Sequence, residues 1–387
     1  MKQGFLPYGR QTIEDDDVAA VTEALRSDYL TTGPKVVEFE ERFAETVGAA
    51  HAVACSNGTA TLHLSMLALD IGPGDVCVVP SMTFLATANC AAYVGADVVF
   101  ADVDPDTGLM TPETLRDALG EARGRRVRAV LPVHLRGEVC NLPALRDLAE
   151  DAGAALVEDA PHALGSRTLF NGHAGQVGDG RHGVLASFSF HPVKTIATGE
   201  GGMLTTNDGD LAERLRRFRS HGMSRPPGSE PWVYEMEQPG FNYRLPDIAC
   251  ALGLSQLAKL PRFAERRRRL AALYREALAP LAPLVALPPP MPWSDPVPHL
   301  LVALIAFETA GVSRREVMES LAAQGVGSQV HYIPVHTQPY WRTRNGERSL
   351  PGAEAWYRHC LSLPLFPAME DGDVARVADA LRSALRL

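Results

Sequence analysis

Four short stretches carry residues that could do chemistry together. The first is Ser56-Asn57-Gly58-Thr59-Ala60, small residues between an apolar run and a helix-like one. Free backbone amides at a helix start cradle phosphate, although the same turn also serves as a plain strand-to-helix connection. The second is Leu156-Val157-Glu158-Asp159-Ala160, an apolar run ending in a carboxylate. Asp159 could hold a protonated ring nitrogen or simply cap the next helix. The third is Ser187-Phe188-Ser189-Phe190-His191-Pro192-Val193-Lys194, followed by Thr195-Ile196-Ala197-Thr198-Gly199-Glu200-Gly201-Gly202. A lysine close to a phosphate and a ring cation loses basicity and becomes a nucleophile and proton carrier. The lysine by itself says nothing; its frame, Ser-Phe-x-x-x-Lys-x-x-x-x-Gly-Glu-Gly-Gly, is the specific part. The fourth is Phe84, just after an apolar run, whose ring could stack on a flat cofactor or pack into the core.

A phosphate cradle, an anion for a ring nitrogen, a nucleophilic lysine and a stacking aromatic are the set that pyridoxal 5'-phosphate requires. Each stretch is weak alone, and the combination is far more specific. In an open parallel sheet, all four would meet at the carboxyl ends of the strands.

The elements that must position them can be read from periodicity. Residues 51–55, 76–80, 98–103, 129–134 and 155–159 read as strands, with helix-like spacing over 59–69, 84–94, 112–119 and 142–152. Residues 184–190 and 203–206 read as further strands of the same layer. This alternation predicts an α/β fold whose central sheet is mainly parallel and covered on both faces. Ahead of it, 12–27 reads as a helix capped by Thr12, with Val18, Val21 and Leu25 on one face. A second helix places Val36, Phe39, Phe43 and Val47 in register. The character changes near Gln256. A helix over 262–278 leads to a proline-rich connection (284–298), a strand (301–307), a helix (314–324), a strand (327–331) and two terminal helices. The expected division is a large domain over 1–255 and a smaller C-terminal α+β domain over 256–387.

The bulk numbers fit a globular enzyme. The chain has 387 residues, 46% hydrophobic and 21% charged, enough for a large domain plus a smaller one. A formal net charge of −9 gives no footprint for nucleic acid or anionic membrane. The six cysteines are scattered without a C-x-x-C pair and read as reduced core residues. No apolar run approaches spanning length, and the first residues lack a signal-peptide pattern, so a cytoplasmic location is expected. His331 and His336 do not read as a helical metal pair, because Pro334 lies between them. The basic run 266–269 sits in an amphipathic helix and reads as a solvated face, not as a nucleic-acid site.

The chain resembles the DegT/DnrJ/EryC1/StrS family of nucleotide-sugar aminotransferases over essentially its whole length. The matching stretches are 30–34, 56–59, 84–89, 158–165, the Lys194 segment, 219–223, 240–244 and 329–334. Within the family the wording most resembles PseC-type enzymes of pseudaminic acid biosynthesis. The resemblance implies a fold type I pyridoxal-phosphate transferase that moves an amino group from L-glutamate to C4 of a UDP-linked 4-keto-6-deoxy-N-acetylhexosamine. It further implies that Lys194 forms the Schiff base and shuttles the proton, that Asp159 holds the ring nitrogen, and that His162 touches the ring. Gly58, Thr59 and Ser189 would bind the phosphate, and Asn242 would reach the phosphate in the neighbouring subunit of a homodimer with shared active sites. Thr31, His331 and Tyr332 would serve the nucleotide-sugar side. Pro161 departs from the family pattern, where a small residue is usual. Two rivals are a dehydratase of the same family, against which the retained Lys194 argues, and a catalytically silent regulatory member. Another 4-keto or 3-keto nucleotide sugar, of perosamine type for example, is the alternative substrate.

Overall fold

The computed structural model describes residues 4–170 and 172–387. Nine strands concern the site: β1 (His51–Cys55), β2 (Asp75–Pro80), β3 (Asp97–Ala101), β4 (Arg126–Val130), β5 (Ala155–Asp159), β6 (Arg167–Phe170), β7 (His173–Gln176), β8 (Leu185–Ser189) and β9 (Gly202–Thr206). Seven form the central sheet in the order β1-β9-β8-β5-β4-β2-β3. The pairs from β3 through β8 are parallel, and only β9 runs against its neighbours. The α/β expectation with a mainly parallel sheet therefore holds. β2 is buried along its whole length and β9 likewise, as expected of strands covered on both faces.

Several local readings are corrected. The strand expected over 129–134 lies earlier, at Arg126–Val130, because Pro132 has no N–H to extend the ladder. Beyond it Val133 makes only an isolated bridge to Asp159. The first helix starts at Asp15, not after a Thr12 cap; the Glu14 amide donates to Asp17 Oδ2 at 2.9 Å. Its inward side carries Asp17 and Ala24, while Val18 and Leu25 are more than half exposed. The apolar stripe read from spacing thus faces away from this chain's own core. Asp17 is buried because Lys259 Nζ, Ser255 Oγ and Gln256 Nε2 all donate to it, at 2.6, 2.7 and 2.8 Å. The strand expected over 327–331 is reduced to bridges at Val326 and Gln329.

After the central sheet the helices Asp247–Ala258 and Leu260–Leu278 lead to a three-stranded antiparallel sheet that includes Leu301–Ile305 and Cys360–Leu363. A second core gathers there around Leu270, Tyr274, Val317, Leu361 and Leu381. The proline-rich connection is more than a surface strap: Ser294–Asp295 pairs with β6, extending the β6–β7 hairpin that periodicity did not reveal. The arginine run is also more than a solvated face. Arg267 is buried and donates to the carbonyls of His299 and Leu365 at 3.2 and 3.1 Å. All six cysteines are free and buried. Among the described residues no helix is long and apolar enough to cross a membrane.

Candidate active site

The carboxyl ends of β2, β5 and β8 open on one cavity of about 900 Å³, within the range typical of small-molecule sites. It is lined by Gly58, Thr59, Phe84, Asp159, His162, Ser189, Lys194, His331 and Tyr332, among others. Nine of the eleven residues expected at the site are thus brought together.

At one end lies the start of the helix Gly58–Ala68. Asn57 caps it, its Oδ1 accepting from the Ala60 amide at 2.8 Å, and its carbonyl accepts from the Thr61 amide at 3.1 Å. The amides of Gly58 and Thr59 come first in the helix and have no intrahelical acceptor. The Ser189 hydroxyl, at the end of β8, stands beside them: a Cβ on Gly58 would lie 3.1 Å from Ser189 Oγ and 2.7 Å from its Cβ. A Cβ on Gly202 would lie 2.7 Å from the backbone of Asn57. The glycines therefore let strand ends and helix start approach closely enough to form an anion cradle.

Lys194 follows β8 on a loop closed by two backbone bonds: Phe190 N–H to Gly201 O at 2.8 Å and Thr198 N–H to Phe190 O at 2.9 Å. Gly199, at φ 84°, makes the return possible. Desolvation in the cavity lowers the Lys194 ammonium to about 8, opposed by the charge of Asp159. Asp159 ends β5 and is buried. Its Oδ2 accepts from Thr87 Oγ1 at 2.5 Å, while its buried Oδ1 has no partner among the described residues. Burial raises its carboxyl to about 6, against the opposing pull of Thr87, Lys194 and His134. A buried carboxylate oxygen lacking a protein donor suits a cationic N–H ligand, which would restore the ordinary acidity.

His162 takes its place through a turn in which the Ala163 amide donates to Ala160 O at 2.9 Å. Pro161 occupies the second position of that turn, where proline's fixed φ is suited, so the departure from the family pattern is absorbed locally. His162 Nδ1 accepts from the Arg136 amide at 3.4 Å, which assigns the ring proton to Nε2, 3.2 Å from Tyr332 Oη. Burial, then Lys194 and His331, holds His162 well below its ordinary value. Burial and Lys194 bring His331 to about 3. Both rings are therefore neutral near pH 7. His331 Nδ1 bonds Ser362 Oγ at 2.7 Å. Phe84 is exposed at the cavity wall, its ring 6.0 Å from that of Tyr332.

Two expected residues lie elsewhere. Asn242 is exposed and does not line this cavity; its segment is held by the Phe241 and Tyr243 amides, bonded to Phe218 O and Arg219 O at 2.7 and 3.0 Å. Thr31 is on an exposed loop anchored by Asp247, whose carboxylate accepts from the Gly33 amide at 2.7 Å. Several cavity residues escaped the sequence reading, Thr83, Thr87, Tyr8 and His299 among them. Thr87 lies inside the matched stretch 84–89 and could have been found as a buried hydroxyl in the first turn of a helix of small residues. Tyr8 and His299 come from distant segments, and nothing in their local sequence marks them.

Comparison with known proteins follows the same lines. The sequence profile of the DegT/DnrJ/EryC1/StrS aminotransferase family matches residues 11–382. The spore coat polysaccharide biosynthesis protein SpsC of Bacillus subtilis (strain 168) is 39% identical over 392 residues, covering 99% of this chain and 97% of SpsC. Among solved structures, Helicobacter pylori PseC, an aminotransferase involved in the biosynthesis of pseudoaminic acid, superposes with a TM-score of 0.90 at 28% identity over 99% of each chain. The putative sugar aminotransferase Spr1654 of Streptococcus pneumoniae, in its PLP form, superposes with a TM-score of 0.88 at 26% identity over 99% of each chain.

Proposed function

The chain belongs to the DegT/DnrJ/EryC1/StrS aminotransferase family of pyridoxal-phosphate-dependent sugar aminotransferases, and we propose that it moves an amino group from L-glutamate to C4 of a UDP-linked 4-keto-6-deoxy-N-acetylhexosamine. The observation that carries the site assignment is the pairing, in one cavity, of Lys194 with a buried Asp159 oxygen that no donor among the described residues satisfies. Pyridoxal phosphate, when bound, supplies the electron sink that lets a proton leave the carbon bearing nitrogen. Gly58, Thr59 and Ser189 would hold its phosphate, Asp159 its ring nitrogen, His162 and Phe84 its ring.

The chain's own residues do the rest. Lys194 Nζ, lowered to about 8, has a usable neutral fraction near neutral pH, so it can both accept a proton and return it. It serves the glutamate half of the reaction and the sugar half alike. Neutral His331 and Tyr332 offer hydrogen bonds to sugar hydroxyls without placing another charge beside Lys194. Thr31, on an exposed loop outside this cavity, is proposed for the nucleotide-sugar side as well.

The PseC-type substrate is supported by the described role of PseC and by the sequence wording. The higher identity to SpsC favours a second reading, a 4-keto or 3-keto nucleotide sugar of another surface polysaccharide. The division into domains 1–255 and 256–387 is part of this reading, supported by the separate core around Leu270 and Leu381. A homodimer is supported by the outward stripe of the first helix and the exposed Asn242. Buried free thiols support a reducing, cytoplasmic setting. The test is a panel of 4-keto and 3-keto nucleotide sugars with glutamate, read by mass spectrometry. Amination of the UDP-linked 4-keto-6-deoxy-N-acetylhexosamine above all others is expected. Preference for a 3-keto or non-UDP sugar would overturn the substrate, and no amination of any sugar would overturn the activity.

A further inference from the structure

Asp159 is held from behind by a chain of two hydroxyls. Thr87 Oγ1 donates to Asp159 Oδ2 at 2.5 Å, and Thr83 Oγ1 lies 2.7 Å from Thr87 Oγ1. Both threonines are buried, both line the cavity, and neither has a role assigned above. They come from one element pair: Thr83 from the turn after β2, Thr87 from the first turn of the helix Leu85–Tyr93. Packing alone does not ask for threonine here, since valine has nearly the same shape without the hydroxyl.

Each hydroxyl has a single proton, so the chain has a direction. An ionised Asp159 can only accept. Thr87 must then spend its proton on Oδ2, and Thr83 must spend its own on Thr87. Thr83 Oγ1 is left with lone pairs, and the carboxylate is pinned with Oδ1 as the free oxygen. A protonated Asp159 could reverse the whole order. We propose that Thr83 and Thr87 are positioning residues, a polarised hydroxyl relay that keeps Asp159 charged and fixes Oδ1 as the oxygen offered to the cofactor's ring nitrogen. This rests on the reading of Asp159 given above. The other titratable groups that bear on Asp159 are Lys194, His134, Tyr332 and, on Thr87's own helix, Cys90. None of these donates a hydrogen bond to its carboxylate oxygens, which leaves Thr87 as their one donor among the described residues.

The test uses the holoenzyme reconstituted with pyridoxal phosphate labelled with ¹⁵N in the ring, comparing Thr87→Val, Thr87→Ser, Thr83→Val and Asp159→Asn. The readouts are the ring-nitrogen chemical shift against pH and the separate values of kcat and KM. In Thr87→Val the ring nitrogen is expected to lose its proton about one pH unit lower, with kcat down about tenfold and KM within about twofold. Thr83→Val is expected to shift the same way by less, and Thr87→Ser to restore the parent titration. A merely structural threonine would lower thermal stability and leave the ring titration unmoved. An unmoved titration in Thr87→Val beside a shifted one in Asp159→Asn overturns the relay alone. Unmoved titration in both overturns the relay together with the Asp159 assignment. Should Thr87→Val fail to fold, Thr83→Val decides the matter, since it leaves Thr87 in place and an unmoved titration there also defeats the relay.

Discussion

Gly58 and Ser189 are in such close contact that a Cβ on the glycine would lie 2.7 Å from the Cβ of the serine. The helix start and the end of β8 thus touch through a hydrogen atom, and the cradle proposed for the phosphate is the narrow space they share. Gly58→Ala would force them apart, at about 1–3 kcal/mol for overpacking of this kind. We expect the dissociation constant for pyridoxal phosphate to rise at least about tenfold, while far-ultraviolet circular dichroism stays unchanged. Undiminished affinity in a titration followed by cofactor absorbance would show that the phosphate lies elsewhere.

On the proposed reading Lys194 supplies both the covalent hold and the proton. Lys194→Ala is expected to lose at least about a thousandfold in turnover, and borohydride should no longer fix the cofactor to the peptide 187–202. Substantial multiple turnover in that variant would defeat the assignment. The parent protein has a pH signature as well. Only the neutral amine attacks a carbonyl, and the group titrates at about 8. The rate at which cofactor-free protein captures pyridoxal phosphate should therefore climb with pH, about tenfold per unit well below that value, and flatten above it. Stopped-flow absorbance measures this; a rate still rising steeply beyond pH 9.5, about where an unshifted lysine would still be titrating, would refute the lowered basicity.

Asp159→Asn keeps a hydrogen-bonding side chain and removes the charge. The rate should fall by several orders of magnitude while cofactor binding weakens only modestly, because the phosphate cradle is untouched. A near-normal rate would mean that another residue serves the ring nitrogen.

Asn242 is exposed and does not line the cavity of its own chain, so its contribution is expected in a partner's site. Asn242→Ala should be impaired, and mixing it with Lys194→Ala under conditions that exchange subunits should recover activity, since one of the two sites then holds both residues. Sedimentation and activity on the same mixture decide it. A monomer in solution, or proven heterodimers without recovery, would count against the shared site.

What the sequence determined by itself is local. β1 and β5 lie where their apolar runs were read, and the glycine frame around Lys194 marks a loop that only small residues could close, because chain geometry and close contact leave no other choice. The order of strand, turn and helix likewise carried Gly58, Asp159 and Lys194 to one edge of the sheet. Tertiary structure decided whatever depends on distant partners. Asp17 is buried in a helix that reads as polar on that side, because Lys259 and Gln256 satisfy it; without them the burial would be prohibitive. Val18 and Leu25 turn outward for the same reason. Tyr8 and His299 reach the cavity from segments far along the chain, and Thr87 matters only because β5 ends beside its helix. A hydroxyl's role is set by what stands within hydrogen-bond reach of it, and that reach is a property of the packed chain.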